Sequence, residues 1–330
     1  MKKAIVRVLS IGLAAALLCG AVPLAASAKT DITDKFTDSH FRAVVQELVG
    51  KKKIYDTDAA WITRIDIGSN GYPAPVRGRV KSLAGLEYLT GLMYLDCGSN
   101  KLTSLPKLPA GLIELVCWDN QLTQLPKLPA GLLELCCDHN QLTQLPKLPL
   151  TLTMLSCSWN QLTSLPQLPE GLGVLDCSLN KLSALPELSA ALEGLDCSYN
   201  ELTTLPELPV TLDWLWCNDN ALTALPALPT NIQGLDCSYN QLTGIDVTGV
   251  LQLQSFDCSR NNMTSRSAVK GFKGDWDALD EFGYPMFIYE SQNVPQIGTF
   301  NLWCKPTTWE KTPLNWFLLI ACFGWLWMAF

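Results

Sequence analysis

The chain contains 330 residues with a formal net charge of −7; 48% of the residues are hydrophobic and 17% are charged. These values are typical of a soluble protein and exclude collagen-like, wholly disordered and polytopic membrane proteins. An isoelectric point near 4.9 argues against a nucleic-acid partner, because a nucleic-acid-binding protein would present a basic face. With only two histidines, His40 and His139, we expect neither a metal site nor a cofactor.

Residues 1–28 have the features of a secretory signal peptide. A basic start is followed by an apolar run from Val8 to about Leu24, and the small residues 26–28 (ASA) supply a cleavage site. We therefore expect an exported protein, located at the cell surface or secreted. A short uncleaved anchor is the alternative.

Residues 29–61 are predicted to form an N-terminal helical cap. Within them, the segment 37–50 (TDSHFRAVVQELVG) has the pattern of an amphipathic helix that begins at a polar capping residue and ends at Gly50. Four apolar residues are expected to share the inward face of this helix: Phe41, Val44, Val45 and Leu48.

Residues 62–262 consist of one unit repeated with a period of 20 residues, with a single 21-residue step at the end. The unit is L-x-x-L-x-C-x-x-N-x-L-T-x-L-P-x-L-P-x-x, and self-similarity at a fixed period predicts a solenoid. An irregular earlier copy contains Ile62, Ile65, Ile67 and Asn70. The recurring cysteines and asparagines are Cys97, Cys117, Cys137, Cys157, Cys177, Cys197, Cys217, Cys237, Cys258, and Asn100, Asn120, Asn140, Asn160, Asn180, Asn200, Asn220, Asn240, Asn261.

Each position of the unit has a physical reason. The alternating stretch x-L-x-C-x predicts a short strand whose Leu and Cys point inward, so that every repeat adds one parallel strand to a sheet. The Asn side chain can satisfy backbone groups where the chain leaves the strand. The return segment L-T-x-L-P-x-L-P cannot be helical, because two prolines stand three residues apart.

The unit resembles a leucine-rich repeat, with Cys where Leu or Val is commoner, and the resemblance covers roughly residues 60–262. The helix over 37–50 resembles the N-terminal caps of internalin-like bacterial surface proteins, and L-P-x-L-P is similar to the repeats of secreted bacterial effectors. The resemblance implies a right-handed solenoid with parallel strands on its concave face and an extended, polyproline-like convex side. Some such effectors carry a ubiquitin-ligase domain, but only about 70 residues follow this array, so no enzymatic activity is expected.

The chain after the repeats divides into two parts. Residues 263–311 are aromatic-rich and are expected to hold a C-terminal cap and a linker, whereas the tail 312–330 carries no charge. Fifteen helical residues over 316–330 would span ~22 Å, less than the ~30 Å of a hydrocarbon core, but the tryptophans suit a membrane interface. We predict membrane contact through 316–330. A buried cap or an early end of the chain are the alternatives.

The recurring cysteines are expected to form a ladder of small apolar side chains in the core. A metal site needs clustered ligands, and side chains that project side by side from parallel strands are poorly placed for disulfides. Cys136 differs, because alternation turns it outward and His139 follows three residues later. A Cys–His nucleophile and an exposed thiol prone to cross-linking are the two interpretations of Cys136.

Candidate binding residues are the outward positions that depart from the default strand L-D-C-S-x-N. Outward Trp and Tyr on a rigid strand are typical of interface hot spots, although some of them could instead pack against each other. The default Asp residues form an acidic stripe (Asp96, Asp176, Asp196, Asp236 and Asp257), which is either a solvated face or an attractant for basic partners. The predicted ligand-binding residues are Glu114, Trp118, Glu134, Asp138, His139, Met154, Trp159, Tyr199, Trp214, Trp216 and Tyr239.

These observations predict a non-catalytic, exported bacterial protein that recognises a protein or a glycan through its concave face. The alternatives are an envelope spacer without a specific ligand and a secreted effector directed at a host.

If the cysteine ladder is apolar packing, its thiols are unoxidised. Denatured protein that is alkylated without reduction should therefore show most of its thiols modified, as counted by mass spectrometry. Four or more disulfides would contradict this expectation.

Overall fold

The computed structural model describes residues 29–68, 79–279, 285–289 and 292. The predicted signal peptide, Asn70 and the tail over 312–330 lie outside the described residues.

The described chain is a solenoid built on one parallel sheet. Eleven strands lie in the order β1-β2-β3-β4-β5-β6-β7-β8-β9-β11-β13, and β10 and β12 form a separate parallel pair. The strands are β1 (Arg64–Asp66), β2 (Tyr94–Asp96), β3 (Glu114–Val116), β4 (Glu134–Cys136), β5 (Met154–Ser156), β6 (Val174–Asp176), β7 (Gly194–Asp196), β8 (Trp214–Trp216), β9 (Gly234–Asp236), β10 (Ile245–Asp246), β11 (Ser255–Asp257), β12 (Val269–Lys270) and β13 (Phe287–Ile288).

The register of the sheet follows the repeat. Glu114 pairs with Glu134 and Leu115 with Leu135, so residues 20 apart lie side by side on neighbouring rungs. The leucine at the centre of each of β2 to β9 is buried, and so is the cysteine that follows the strand. The predicted solenoid with parallel concave strands is therefore confirmed.

The return segments have no regular secondary structure, as the prolines require. Their leucines belong to the same core as the strand leucines, with Leu102 and Leu142 fully buried. The sheet and the return segments thus enclose one continuous core, with the sheet on the concave side and the return segments on the convex side.

Each ladder asparagine joins two rungs. In Asn160, Nδ2 donates to the carbonyl oxygens of Cys157 (3.1 Å) and Ser158 (2.9 Å) in its own repeat and of Cys137 (3.1 Å) in the preceding one. Its Oδ1 accepts from the backbone N–H of Leu142 at 3.0 Å. The same contacts recur along the ladder, so the side-chain amide satisfies backbone groups that the turn would otherwise bury unpaired.

The N-terminal cap contains helix α1 (Ser39–Val49) and the short helix α2 (Asp56–Ala59). Asp38 begins α1 by accepting from the N–H groups of His40 and Phe41, and it also accepts from the N–H of Lys81, which ties the cap to the array. Gly50 ends α1 in the left-handed conformation with φ of 66°.

The inward face of α1 is narrower than the sequence predicts. Phe41, Val44 and Val45 are buried as expected, but Leu48 is 43% exposed. Leu48 instead borders a shallow cleft with Trp61 and Arg64.

The sheet continues past the cysteine repeats, because β13 pairs with β11. Beside these strands, Phe272 stacks on Trp276 at 4.2 Å between ring centroids and contacts Phe287 at 5.1 Å. These rings cover the core where the leucine array ends. Short 3₁₀ segments occur at Thr33–Lys35, Leu86–Tyr88 and Arg266–Ala268.

We expect Asn160→Ala to destabilise the array by about 2 kcal/mol, because it leaves the buried N–H of Leu142 without a partner and removes one of the hydrogen bonds that each of three carbonyl groups accepts. The free energy of unfolding in urea, measured by circular dichroism, tests this. Gln161→Ala, at the exposed neighbouring position, is the control and should change stability by less than about 0.5 kcal/mol. Equal effects of the two substitutions would contradict a supporting role for the ladder.

Candidate concave-face recognition site

The concave face presents four outward positions in each repeat. They are the residues on either side of the strand leucine, the residue after the ladder cysteine and the residue before the ladder asparagine. In the repeat of β3 these are Glu114, Val116, Trp118 and Asp119, all half-buried. Because the repeats are in register, each position forms a column along the sheet.

The default Asp of the repeat makes a local turn contact. Asp176 Oδ1 accepts from the N–H (3.0 Å) and the hydroxyl (2.7 Å) of Ser178, and Asp196 makes the same contacts with Ser198. Asp176 is 5% exposed and Asp196 is 4% exposed. The interpretation of the acidic stripe as a solvated face is therefore wrong for these two residues, whose carboxylates terminate the strand turn inside the protein.

Burial changes the titration of the concave-face acids. Desolvation, together with the neighbouring Asp196 carboxylate, raises the pKa of Asp176 well above its ordinary range, and burial raises the pKa of Asp196 as well. Burial also raises the pKa of Asp96 to about 6 and, with Glu134 beside it, that of Glu114 to about 7. These carboxyl groups therefore favour protonation more strongly than they would in the unfolded chain.

Asp138 belongs to an internal network. Its Oδ1 accepts from the hydroxyl of Ser156 (2.6 Å) and from the N–H (2.8 Å) and hydroxyl (2.9 Å) of Ser158, one rung further on. In the default repeat, the N–H of the serine donates to the Asp two residues earlier, as Ser178 does to Asp176. Two residues before Ser158 the chain has Ser156 instead of Asp. Asp138 thus supplies from the preceding rung the carboxylate that its neighbour lacks, so its role as a ligand contact stays a prediction beside this structural one.

Cys136 and His139 have different partners. The Cys136 thiol donates to Asp138 Oδ2 at 2.9 Å, whereas His139 Nδ1 lies 3.0 Å from Asp119 Oδ1. The His139 ring also meets the Trp159 ring edge-on at 5.7 Å. The Cys136 thiol and the His139 ring thus each contact a different carboxylate, and His139 belongs to an Asp119–His139–Trp159 row on the surface.

The first group of predicted residues occupies neighbouring rungs. Glu114, Glu134 and Met154 are successive register partners on β3, β4 and β5, and all three are half-buried. The Trp118 indole lies over Gly98, where any side chain would collide with it. The structure thus brings these residues into one surface on the N-terminal half of the sheet.

The second group is a tryptophan pair on β8. The rings of Trp214 and Trp216 lie 4.7 Å apart at 37°, and Trp214 covers Gly194 of the preceding strand. Trp216 is 9% exposed, and its Nε1 has no hydrogen-bond partner in the described part of the chain. The pair is therefore largely packed against the sheet, and Trp214 offers more surface than Trp216.

The residues before the ladder asparagines share an unusual backbone. Each is a non-glycine residue with φ between 50° and 56°, in the left-handed region that Gly and Asn favour. Their side chains touch across rungs, as in the Asp119–His139–Trp159 row and in the contact of Arg260 with the Tyr239 ring at 5.5 Å. We call these nine residues the left-handed column: Ser99, Asp119, His139, Trp159, Leu179, Tyr199, Asp219, Tyr239 and Arg260.

Sequence reasoning included four members of this column but missed Asp119 and the two glycines beneath the tryptophans. A signal for the glycines existed in the sequence. Gly98 and Gly194 each stand one period before a Trp at the same repeat position, so a position without a side chain lies beside a large one. No comparable signal marked Asp119, because its role depends on the side chain of His139 in the next repeat.

The ladder cysteines are free thiols in the core. Cys157 Sγ donates to the carbonyl oxygen of Asp176 at 3.4 Å, and Cys137 Sγ donates to that of Ser156 at the same distance. Each of these thiols therefore contacts the backbone of the next rung. Burial raises their pKa well above the ordinary value, which keeps them protonated.

The 20-residue period, the single parallel sheet and the asparagine ladder define the chain as a leucine-rich repeat protein. Solved structures of bacterial leucine-rich repeat proteins agree with this. InlJ from Listeria monocytogenes, whose functional domain includes a cysteine ladder, is 33% identical over 73% of this chain with a TM-score of 0.64. YopM from Yersinia enterocolitica is 31% identical over 65% of the chain with a TM-score of 0.52.

YopM from Yersinia pestis, a leucine-rich effector protein, is 28% identical over 72% of this chain and 67% of its own, with a TM-score of 0.57. The match spans 54% of the InlJ chain and 54% of the Yersinia enterocolitica YopM chain. No protein-family model and no curated protein sequence matches the chain. Within the residues that the structure describes, no helix has both the length and the hydrophobicity to cross a membrane.

The buried carboxyl groups predict a pH dependence of stability. Because their folded pKa is raised, the native state binds more protons than the unfolded chain between about pH 4 and 7, and stability falls as pH rises through this window. We expect a higher Tm at pH 5 than at pH 7.5, measured by differential scanning calorimetry. Acids whose pKa is lowered in the folded state, such as Asp38 and Asp58, stabilise the fold throughout this pH window and lose that stabilising effect only at lower pH.

Asp176→Asn should raise the Tm at pH 7.5 by about 3 °C, since the amide oxygen can still accept from Ser178 while the buried charge is removed. The substitution should also weaken the pH dependence. Glu170→Gln, at an exposed position outside the sheet, is the matched control and should change neither. A Tm that rises from pH 5 to 7.5 would contradict the interpretation.

Proposed function

We propose that this chain is a non-catalytic, exported recognition protein that binds a protein ligand through its concave face. The observation that carries the proposal is the left-handed column. Bulky residues such as His139, Trp159, Tyr199 and Tyr239 occupy a backbone conformation that costs them about 1–2 kcal/mol each. The repeat tolerates small polar residues at the same position, as at Ser99 and Asp119, so the fold does not require large ones.

Strain of this kind is typical of functional sites, where it is retained for what the side chain does. On the same face lie the half-buried Glu114, Glu134 and Met154 at the start of their strands, and Trp118, which directly precedes the column residue Asp119. Aromatic anchors surrounded by polar groups on a rigid sheet are the composition of an interface hot spot. The concave acids favour a partner with basic or hydrogen-bond-donating groups.

A glycan ligand is the first alternative, because Trp and Tyr faces bordered by carboxylates also suit sugar rings. An envelope spacer without a specific ligand is the second, and the packing of Trp216 against the sheet supports it. A secreted effector directed at a host is the third, and the likeness to the YopM effector protein supports that reading.

The proposal includes the division of the chain inferred from its sequence: a signal peptide over 1–28, a helical cap over 29–61, repeats over 62–262, a C-terminal cap and linker over 263–311, and a tail over 312–330 that contacts a membrane. Export is supported by the basic and apolar leader and by the likeness to InlJ and YopM.

Replacing the bulky column residues by asparagine separates recognition from folding. Because Asn adopts the left-handed conformation readily, the variant with His139→Asn, Trp159→Asn, Tyr199→Asn and Tyr239→Asn should be as stable as the parent or more so. We expect it to lose a partner that the parent captures from envelope extracts or host secretions. Urea unfolding and quantitative mass spectrometry of captured material measure the two effects.

The matched control carries Gln124→Asn, Gln144→Asn and Thr204→Asn on exposed return-segment positions and should keep the partner. Protease treatment of the extract should abolish capture of a protein ligand, and periodate treatment that of a glycan. Identical capture by the parent and the column variant would instead favour the spacer.

A further inference from the structure

A second surface lies on the convex side, at the residue that directly follows the first proline of each L-P-x-L-P segment, or of L-P-x-L-S in the repeat that contains Ser189. The leucines on either side of this residue point into the core, as Leu105 and Leu108 do around Lys107. The residue itself is exposed in every repeat. We call six of these residues the convex charge column: Lys107, Lys127, Lys147, Gln167, Glu187 and Glu207.

The signs are segregated along this column. Three lysines occupy this position on consecutive rungs, and two glutamates follow after one glutamine. None of the five charged residues takes part in an ion pair within the described residues. Like charges on neighbouring rungs repel one another, and alternating signs would lower that repulsion without changing the fold.

Because the lysines and the glutamates occupy opposite halves of the convex charge column, the column of one copy is complementary in charge to that of a second copy running in the opposite direction. If two copies face each other with antiparallel axes, and the two-fold axis passes between the rungs of Lys147 and Gln167, then Lys107 meets Glu207 and Lys127 meets Glu187. A two-fold axis pairs the same surface of both copies, so each contact occurs twice. A parallel arrangement in the same register would instead place lysine against lysine.

A neighbouring column supports the same arrangement. The exposed residue that follows each ladder asparagine is Lys101 in the first of the six rungs and Glu201 in the last, so these also meet across the two-fold axis. Lys181 meets Gln121, and Gln141 meets Gln161. The two columns therefore bring no like charges together.

We propose that the convex charge column is the contact surface of an antiparallel, two-fold symmetric dimer of this chain, held by reciprocal Lys–Glu pairs. Exposed ion pairs are individually weak, so the dimer is salt-sensitive. The arrangement leaves both concave faces pointing outward. One dimer then presents two recognition surfaces and gains avidity for a repetitive or surface-bound ligand.

Sedimentation velocity of the full chain tests the dimer. We expect dimers at about 10 mM salt, where the screening length is about 30 Å, and monomers at about 1 M, where it is about 3 Å. An acidic variant with Lys107→Glu and Lys127→Glu, and a basic variant with Glu187→Lys and Glu207→Lys, should each self-associate at least about tenfold more weakly. An equimolar mixture of the two variants should dimerise, as should a chain that carries all four substitutions.

A variant with Lys35→Glu and Lys52→Glu has the same net charge as the acidic variant, but its changes lie on exposed cap positions, and it should dimerise like the parent. A zero-length carbodiimide cross-linker applied to mixed isotope-labelled chains should join Lys127 of one copy to Glu187 of another. A monomeric parent at low salt, or association that persists unchanged in both charge variants, as contact through the tail over 316–330 would produce, overturns the proposal.

Discussion

The asparagine ladder is the interaction on which the rest of this structure depends. A 20-residue coil must turn its backbone sharply at the end of a three-residue strand, and that turn buries carbonyl and N–H groups. One side-chain amide satisfies four of them, split between two rungs. Because each amide needs the preceding rung, no repeat is complete alone, and the array gains its stability from nearest-neighbour contacts.

The same in-register stacking explains the unusual chemistry of the concave face. A side chain repeated every 20 residues lies beside its own copies, so carboxylates accumulate in one column and shield each other from water. Asp176 and Asp196 consequently accept serine hydrogen bonds inside the protein while their pKa values rise. Asp138 shows that the carboxylate can also come from the adjacent rung, since its Oδ1 accepts from the N–H of Ser158 where the local position is Ser156.

The two long faces of the solenoid differ in what varies along them. On the concave face, the left-handed column holds aromatic and charged side chains at a backbone cost, which is why we propose that recognition occurs there. On the convex face, the prolines hold the chain extended, and the exposed convex charge column changes from lysine to glutamate along the array. This variation in charge suits association between copies. Separate faces allow ligand binding and self-association without competition.

The sequence by itself determined the solenoid, its period, the parallel register, the helical cap and the inward positions of Leu, Cys and Asn. These features follow from local periodicity and from the prolines, which act identically in every repeat. It also marked most of the candidate surface, because the repeats show which residues depart from their own default. The partners of those residues were decided only by the tertiary structure: the burial of Asp176, the contact of His139 with Asp119, and the packing of Trp214 over Gly194. The reason is physical, since these contacts join residues on neighbouring rungs, and their burial and geometry depend on how the rungs curve and stack.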